Sequence, residues 1–254
     1  MSFTNVGSVE NQFSGDVGSS NPSSFSASIP DLATNSIGVV MFAVQLAGAA
    51  TAVLSGVTWD GVAMTKAVPT GSNAATTLSR HVYYLANPPD NGSKTITINF
   101  SDPGSPISMT AHVVVAYADA NAAVSLDDTS EETGTTQNPD IVSTQAGANE
   151  LVFSISASTA NAIAATPTTG CTELQNYDSG GNCSIAAYSI PTGSGDATHQ
   201  HNYSQSGDYG ITSLSFKEAS GTTYPQSVSG ANTPAGTVVM RSNKPLSGAV
   251  TSAG

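Results

Sequence analysis

Apolar and polar residues alternate with period two over long stretches of this chain. Lys94-Thr-Ile-Thr-Ile-Asn-Phe100 sets Ile96, Ile98 and Phe100 on one face and Thr95, Thr97 and Asn99 on the other. Leu151-Val-Phe-Ser-Ile-Ser-Ala157 predicts Leu151, Phe153 and Ile155 inward, with Ser154 and Ser156 toward water. Leu214 and Phe216 alternate with Ser213, Ser215 and Lys217 in the same way. Successive strand side chains point to opposite faces, so these are antiparallel strands with one face on a core and one on solvent. Two more continuous apolar runs, 37–46 and 112–117, predict central strands.

Turn chemistry separates these segments at short intervals. Asp60-Gly61, Asn87-Pro-Pro-Asp-Asn-Gly92, Asp102-Pro103-Gly104, Pro191-Thr-Gly193 and Gly207-Asp208 each mark a reversal, with Asn91-Gly92 the strongest hairpin signal. About ten strands follow, near 24–29, 36–46, 55–67, 78–87, 94–100, 107–118, 149–157, 170–177, 182–190 and 208–217. No helical segment is visible. The fold expected is all-β: an antiparallel two-sheet sandwich, jelly-roll-like, in one domain over residues 1–218. The alternative is two smaller sandwiches split near the acidic linker at 119–148. No repeat of the first half shows in the second, which favours the single domain. Residues 219–254 are small and polar, with one short apolar run at 237–240, and predict an extended low-complexity arm. That arm has no means of building its own core, so it either folds back on its own domain or is held by a neighbouring subunit, the second being the favoured expectation.

Composition narrows the function classes. Only 9% of residues are charged, with 18 acidic against 6 basic side chains and a net charge of −12. Six basic residues cannot build the phosphate-neutralising patch of a nucleic-acid-binding protein, nor the Lys/Arg cluster that docks on anionic membranes. The longest apolar run, 37–50, is interrupted by Gln45 and is too short to span a bilayer, which takes about 20 residues. Residues 1–12 carry no Lys or Arg and no apolar core, so no export signal is expected. An exposed-looking β-protein without such a signal fits a particle assembled in a host cytoplasm and later released.

Candidate chemistry is sparse. The chain lacks Gly-x-Ser-x-Gly, a phosphate-binding loop ending Lys-Ser/Thr, and His-Glu-x-x-His, so no catalytic residue and no cofactor is assigned. Its four histidines are His81, His112, His199 and His201. In a strand, His199 and His201 point the same way, a two-ligand metal spacing, but no further pair completes a site. They read as polar residues on a wet strand face. The acidic stretch 126–140 holds Asp127, Asp128, Glu131, Glu132 and Asp140, without the alternating order of a calcium-binding loop, and reads as a solvated loop. A hairpin centred on Gly180 puts Cys183 opposite Tyr177 and Cys171 opposite Ser189, which leaves two free thiols rather than a disulfide. The single Trp59 beside the Asp60-Gly61 turn reads as packing. Of the adjacent Tyr83 and Tyr84, only one can face outward.

The order Val57-Thr-Trp-Asp-Gly-Val-Ala-Met-Thr-Lys66, then Arg80-His-Val-Tyr-Tyr-Leu-Ala-Asn-Pro-Pro89, then Lys94-Thr-Ile-Thr-Ile-Asn-Phe-Ser101 resembles sandwich domains of bacteriophage virion proteins and bacterial surface proteins. The likeness covers residues 24–118 closely and 149–218 loosely, and rests on core and turn positions. It implies a non-enzymatic structural role: a capsid decoration, fibre or tail component, homo-oligomeric and seated on a second virion protein such as the capsid shell. The alternative expectation is a glycan-binding or adhesion module, which needs an exposed Trp59 or Tyr cluster. A secreted hydrolase, which needs two carboxylates facing each other in a cleft, ranks last.

Overall fold

Alternation becomes strand almost everywhere. The computed structural model describes residues 3–17, 23–46, 53–67, 71–72, 78–101, 107–144, 149–159, 162–178, 183–193 and 195–219, and these contain no helix. Among the described residues the first half holds β1 (Thr4–Val17), β2 (Ser23–Ile29), β3 (Asn35–Leu46), β4 (Val53–Trp59) and β5 (Val62–Ala63). It continues with β6 (Thr65–Lys66), β7 (Gly71–Ser72), β8 (Leu78–Ala86), β9 (Gly92–Ser101) and β10 (Ile107–Ala120). The second half holds β11 (Val124–Thr136), β12 (Asp140–Ser143), β13 (Leu151–Ser158) and β14 (Ile163–Thr169). It ends with β15 (Thr172–Asp178), β16 (Cys183–Ser189), β17 (Ala197–Tyr203) and β18 (Gly207–Glu218). Beyond Ala219 the expected arm lies outside the described residues, as do Tyr224 and the Asp102-Pro103-Gly104 turn.

The strands form four antiparallel sheets. Sheet I is β2-β9-β4-β5, and sheet II is β1-β10-β3-β8-β6 with β7 also on β8. Sheet III is β11-β18-β13-β16-β15, and sheet IV is β12-β17-β14. The buried clusters give the layer order. Val40, Phe42, Val44, Val113 and Val115 of sheet II meet Val57, Trp59, Ile96 and Ile98 of sheet I. The opposite face of sheet II, with Val39, Met41, Val82, Val114 and Ala116, meets Leu151, Phe153, Ile155, Leu214 and Phe216 of sheet III. Sheet III then covers sheet IV through Ile185 with Tyr203, and through Ile211 with Ile141. The stack therefore runs I–II–III–IV, and the central strands of both middle sheets (β10, β3 and β8; β18, β13 and β16) are largely buried on both faces.

Two sandwiches, each of two sheets, thus stand back to back, joined by residues 121–123. The expected all-β antiparallel sandwich holds, with four sheets among the described residues rather than two. The halves also share a winding. In the first, the long strands order as β1-β10-β3-β8 over β2-β9-β4. In the second, β11-β18-β13-β16 lies over β12-β17-β14, the same path counted from its own start. The repeat is one of topology, and so is invisible to residue-by-residue comparison.

Local chemistry explains several departures from the sequence reading. Asp60 (φ 49°) and Gly61 (φ 82°) are both left-handed and join β4 to β5 with Trp59 opposite Val62, the two-residue turn that suits strand twist. Asn91 and Gly92 are left-handed as well, but they carry the chain from β8 in sheet II to β9 in sheet I, so the expected hairpin is a crossover. The acidic stretch expected as a loop is strand β11, paired along its length with β18. Its carboxylates lie on an outer strand, where charge discourages pairing with another chain. Ser154, Ser156, Ser213 and Ser215, expected in water, are fully buried because sheet IV covers them. β15 and β16 pair with Cys183 opposite Asp178 and Tyr188 opposite Thr172, a register offset from the expected one, with an irregularity between Glu173 and Gln175. Neither cysteine forms a disulfide.

Trp59 is wholly buried and donates its Nε1–H to the Pro89 carbonyl at 2.7 Å. Its ring fills the space above Gly38, where a Cβ would come within 2.8 Å of Cζ3. Truncation leaves a large cavity and an unmet carbonyl, so Trp59→Ala should lose about 3–5 kcal/mol in urea unfolding followed by circular dichroism. Trp59→Phe should lose less; equal stability of wild type and Trp59→Ala would contradict this packing.

Candidate functional site

The chemistry-bearing side chains gather inside the stack, in two places. Between sheets III and IV, alternation on β13 turns Ser154 and Ser156 toward β17, and alternation on β17 turns His199, His201 and Tyr203 toward β13. Ser189 of β16 hydrogen-bonds His199 Nε2 at 2.7 Å, and His199 Nδ1 meets Ser154 Oγ at 2.7 Å. Ser154 Oγ also meets His201 Nε2 at 2.9 Å; His201 Nδ1 meets Ser156 Oγ at 2.6 Å, and Ser156 reaches the Tyr203 hydroxyl at 2.6 Å. Six groups form one unbroken ladder, and every imidazole nitrogen in it has a hydroxyl partner. With both rings neutral, each group can donate once and accept once in a single direction. His199 and His201 are 1% and 0% exposed, so the wet strand face expected for them is an interior.

The second place lies between sheets II and III. His112 of β10 meets Ser184 Oγ through Nδ1 at 2.5 Å and stacks on Tyr177. Glu10 lies 3.3 Å from His112 Nε2, yet desolvation outweighs it and lowers the imidazole pKa to about 4. Arg80 of β8 points Nε at Thr212 Oγ1 at 3.2 Å, and its two Nη atoms have no hydrogen-bond partner among the described residues. Burial lowers the Arg80 pKa to about 10, while the Glu131 charge acts the other way. The guanidinium occupies the space where Gly210 has no side chain. It remains charged at neutral pH, enclosed between two sheets.

The other candidates are dispersed. His81 faces sheet I, buried, with Nε2 3.3 Å from Ser79 Oγ. The acidic residues of β11 do not converge. Asp127 pairs with Lys217, Asp128 accepts from the Thr144 amide at 3.0 Å, and Glu132 accepts from the Tyr209 hydroxyl at 2.9 Å. Asp140 sits on β12, opposite Gln200. Tyr83 is buried against Phe42, and Tyr84 packs on Phe216 at the joint of sheets II and III. Cys171, which follows β14, is the residue sequence reasoning did not connect to the histidines. Its sulfur and one nitrogen from each of His199 and His201 lie within 4.8 Å of one another. Gly170-Cys171 carries no motif, and only the pairing of β14 with β17 brings the thiol there.

Comparison with known proteins finds no matching family model, no matching curated protein and no matching solved structure.

Burial sets the pH response. Desolvation lowers the pKa of all four imidazoles from 6.5, to about 4 for His112 and His199 and about 3 for His81 and His201. Between pH 6.5 and 4 the unfolded chain binds protons that the folded chain refuses, so stability rises with pH across that window. It is fully present above the unfolded value and is lost as acid is added, before most carboxylates titrate. Urea midpoints should fall from pH 6.5 downward, and His112→Gln should flatten that slope by about one proton. A flat profile over this range would contradict the burial of the rings. Gly210→Ala drives a methyl group into the Arg80 guanidinium and should cost about 1–3 kcal/mol in the same assay.

Proposed function

We propose that this chain is a non-enzymatic structural protein of a virion, a capsid decoration, fibre or tail component. It assembles as a homo-oligomer and against a second virion protein such as the capsid shell. The observation that carries the reading is the winding shared by the two halves. In each half the chain alternates between two sheets, and its first and last long strands end as neighbours, an arrangement of the jelly-roll kind. Jelly rolls build viral capsid domains and lectins, and the choice between such roles has to come from surfaces rather than fold.

Two surface features favour assembly. Among the described residues β1 and β11 each pair on one side only, leaving outer edges of 14 and 13 residues. Such edges accept an added strand, and β1, with two acidic residues against four on β11, has less charge to discourage it. The adhesion alternative, with a host-surface glycan as ligand, is weaker. Among the described residues Trp59, Tyr83, Tyr203 and Tyr209 are buried, and Tyr84, Tyr117, Tyr177 and Tyr188 are half-buried rather than open to solvent. The histidines are likewise enclosed, which supports a role without turnover.

Light scattering on the full chain and on residues 1–218 tests the proposal. The full chain should give a defined multiple of its 25.5 kDa mass, and loss of residues 219–254 should reduce that multiple. A full chain that stays monomeric at every concentration, with the truncation unchanged, would overturn it.

A further inference from the structure

Cys171 brings to the serine–histidine ladder a donor that the ladder does not use: its sulfur lies within 4.8 Å of a nitrogen of each of His199 and His201. Of the four ring nitrogens, His199 Nδ1 and His201 Nε2 converge on one atom, Ser154 Oγ, at 2.7 and 2.9 Å. The other two, His199 Nε2 and His201 Nδ1, are held from outside by Ser189 and Ser156. This is the arrangement of metal-ligating imidazoles, whose second nitrogen is anchored by an outer partner that orients the ring. The thiol of Cys171 supplies a third donor, and its partial exposure leaves a path from solvent. Gly170 makes this approach possible. It sits at φ 77° against the Thr198 carbonyl, where a Cβ would collide, and so lays the turn onto β17.

We propose that Cys171, His199 and His201 form a site for a zinc-class ion, with Ser154 Oγ or a water in the fourth position. The donor set is one thiolate and two neutral imidazoles, which suits a borderline-soft ion and excludes calcium and magnesium. Tetrahedral zinc places such donors about 3.3–3.6 Å apart. The donors now span up to 4.8 Å, so the site closes through a small movement of the Cys171 side chain, the least confined of the three. As the sulfur–metal bond forms, the thiol releases its proton to solvent. In either direction of the ladder one of the two nitrogens facing Ser154 carries a proton; that ring shifts to its other tautomer, with the proton on the nitrogen held by Ser189 or Ser156, and Ser154 gives up its bonds to both rings. The ion then pins the start of β15 to β17. It reinforces a sheet whose β14–β17 pairing is interrupted between Ile163 and Thr168.

Cobalt(II) is the probe. Titrated into the full chain at neutral pH, it should saturate at one equivalent, with a thiolate-to-cobalt charge-transfer band and the intense visible bands of a tetrahedral centre. Zinc should then displace it. Cys171→Ser, a change at a partly exposed turn, should abolish the charge-transfer band while leaving the circular dichroism intact. A second readout needs no variant: zinc should slow alkylation of Cys171 by about tenfold or more, read by peptide mass spectrometry with Cys183 as internal reference. Absence of tetrahedral bands, their persistence in Cys171→Ser, or unchanged alkylation of Cys171 would each overturn the site.

Discussion

The packing of sheet II on sheet III is the interaction on which the rest of this structure depends. It converts two thin sandwiches into a stack in which the central strands of the middle sheets have no solvent face. A fully buried Val, Leu, Ile or Phe contributes about 1.5–3 kcal/mol, against about 0.5–1.5 for a net hydrogen bond. The joint is therefore held by Val39, Met41, Val82, Val114, Phe153, Ile155, Leu214 and Phe216. The polar crossings, His112 to Ser184, Arg80 to Thr212 and Gln175 to Ser8, are too few to hold it. What they can fix is register, because a slip of one residue would leave the buried His112 and Arg80 without their partners.

Sheets II and III solve double burial differently. Sheet II is apolar on both faces, which is why β3 and β10 read as continuous runs. Sheet III is apolar toward sheet II and rich in hydroxyls toward sheet IV. Serine suits that second face because it is small and can both donate and accept, so it can meet an imidazole on the opposing strand. The ladder from Ser189 to Tyr203 keeps those groups satisfied at neutral pH, and acid disturbs it because the rings cannot take a second proton without new acceptors. Arg80 is the exception, a buried cation that only Gly210 makes room for.

Much of this was legible from residue order. The long apolar or alternating strands, β2, β3, β8, β9, β10, β13, β16 and β18, fall where alternation puts them, and Asp60-Gly61 makes the turn its residues demand. β1 and β11 were not legible, because their Gly, Ser, Asn, Thr and acidic residues form strand through pairing with β10 and β18 rather than by a core-facing pattern. The serines of β13 and β18 misled for a related reason: alternation reports two different faces, not which of them meets water. The site was half visible. His199 and His201 share a face by spacing alone, whereas Cys171 reaches them only through the pairing of β14 with β17 and the bare backbone of Gly170.

These features describe a body whose titratable and sulfur chemistry is turned largely inward, between sheets. The joint between sheets II and III is what makes the two halves one unit. Native-state hydrogen exchange along β3, β10, β13 and β18 tests it most directly. If the joint unites the halves, the slowest amides of all four strands share one opening free energy and lose protection together as urea is added. If β13 and β18 open at clearly lower free energy while β3 and β10 stay protected, the halves are independent sandwiches and the account fails.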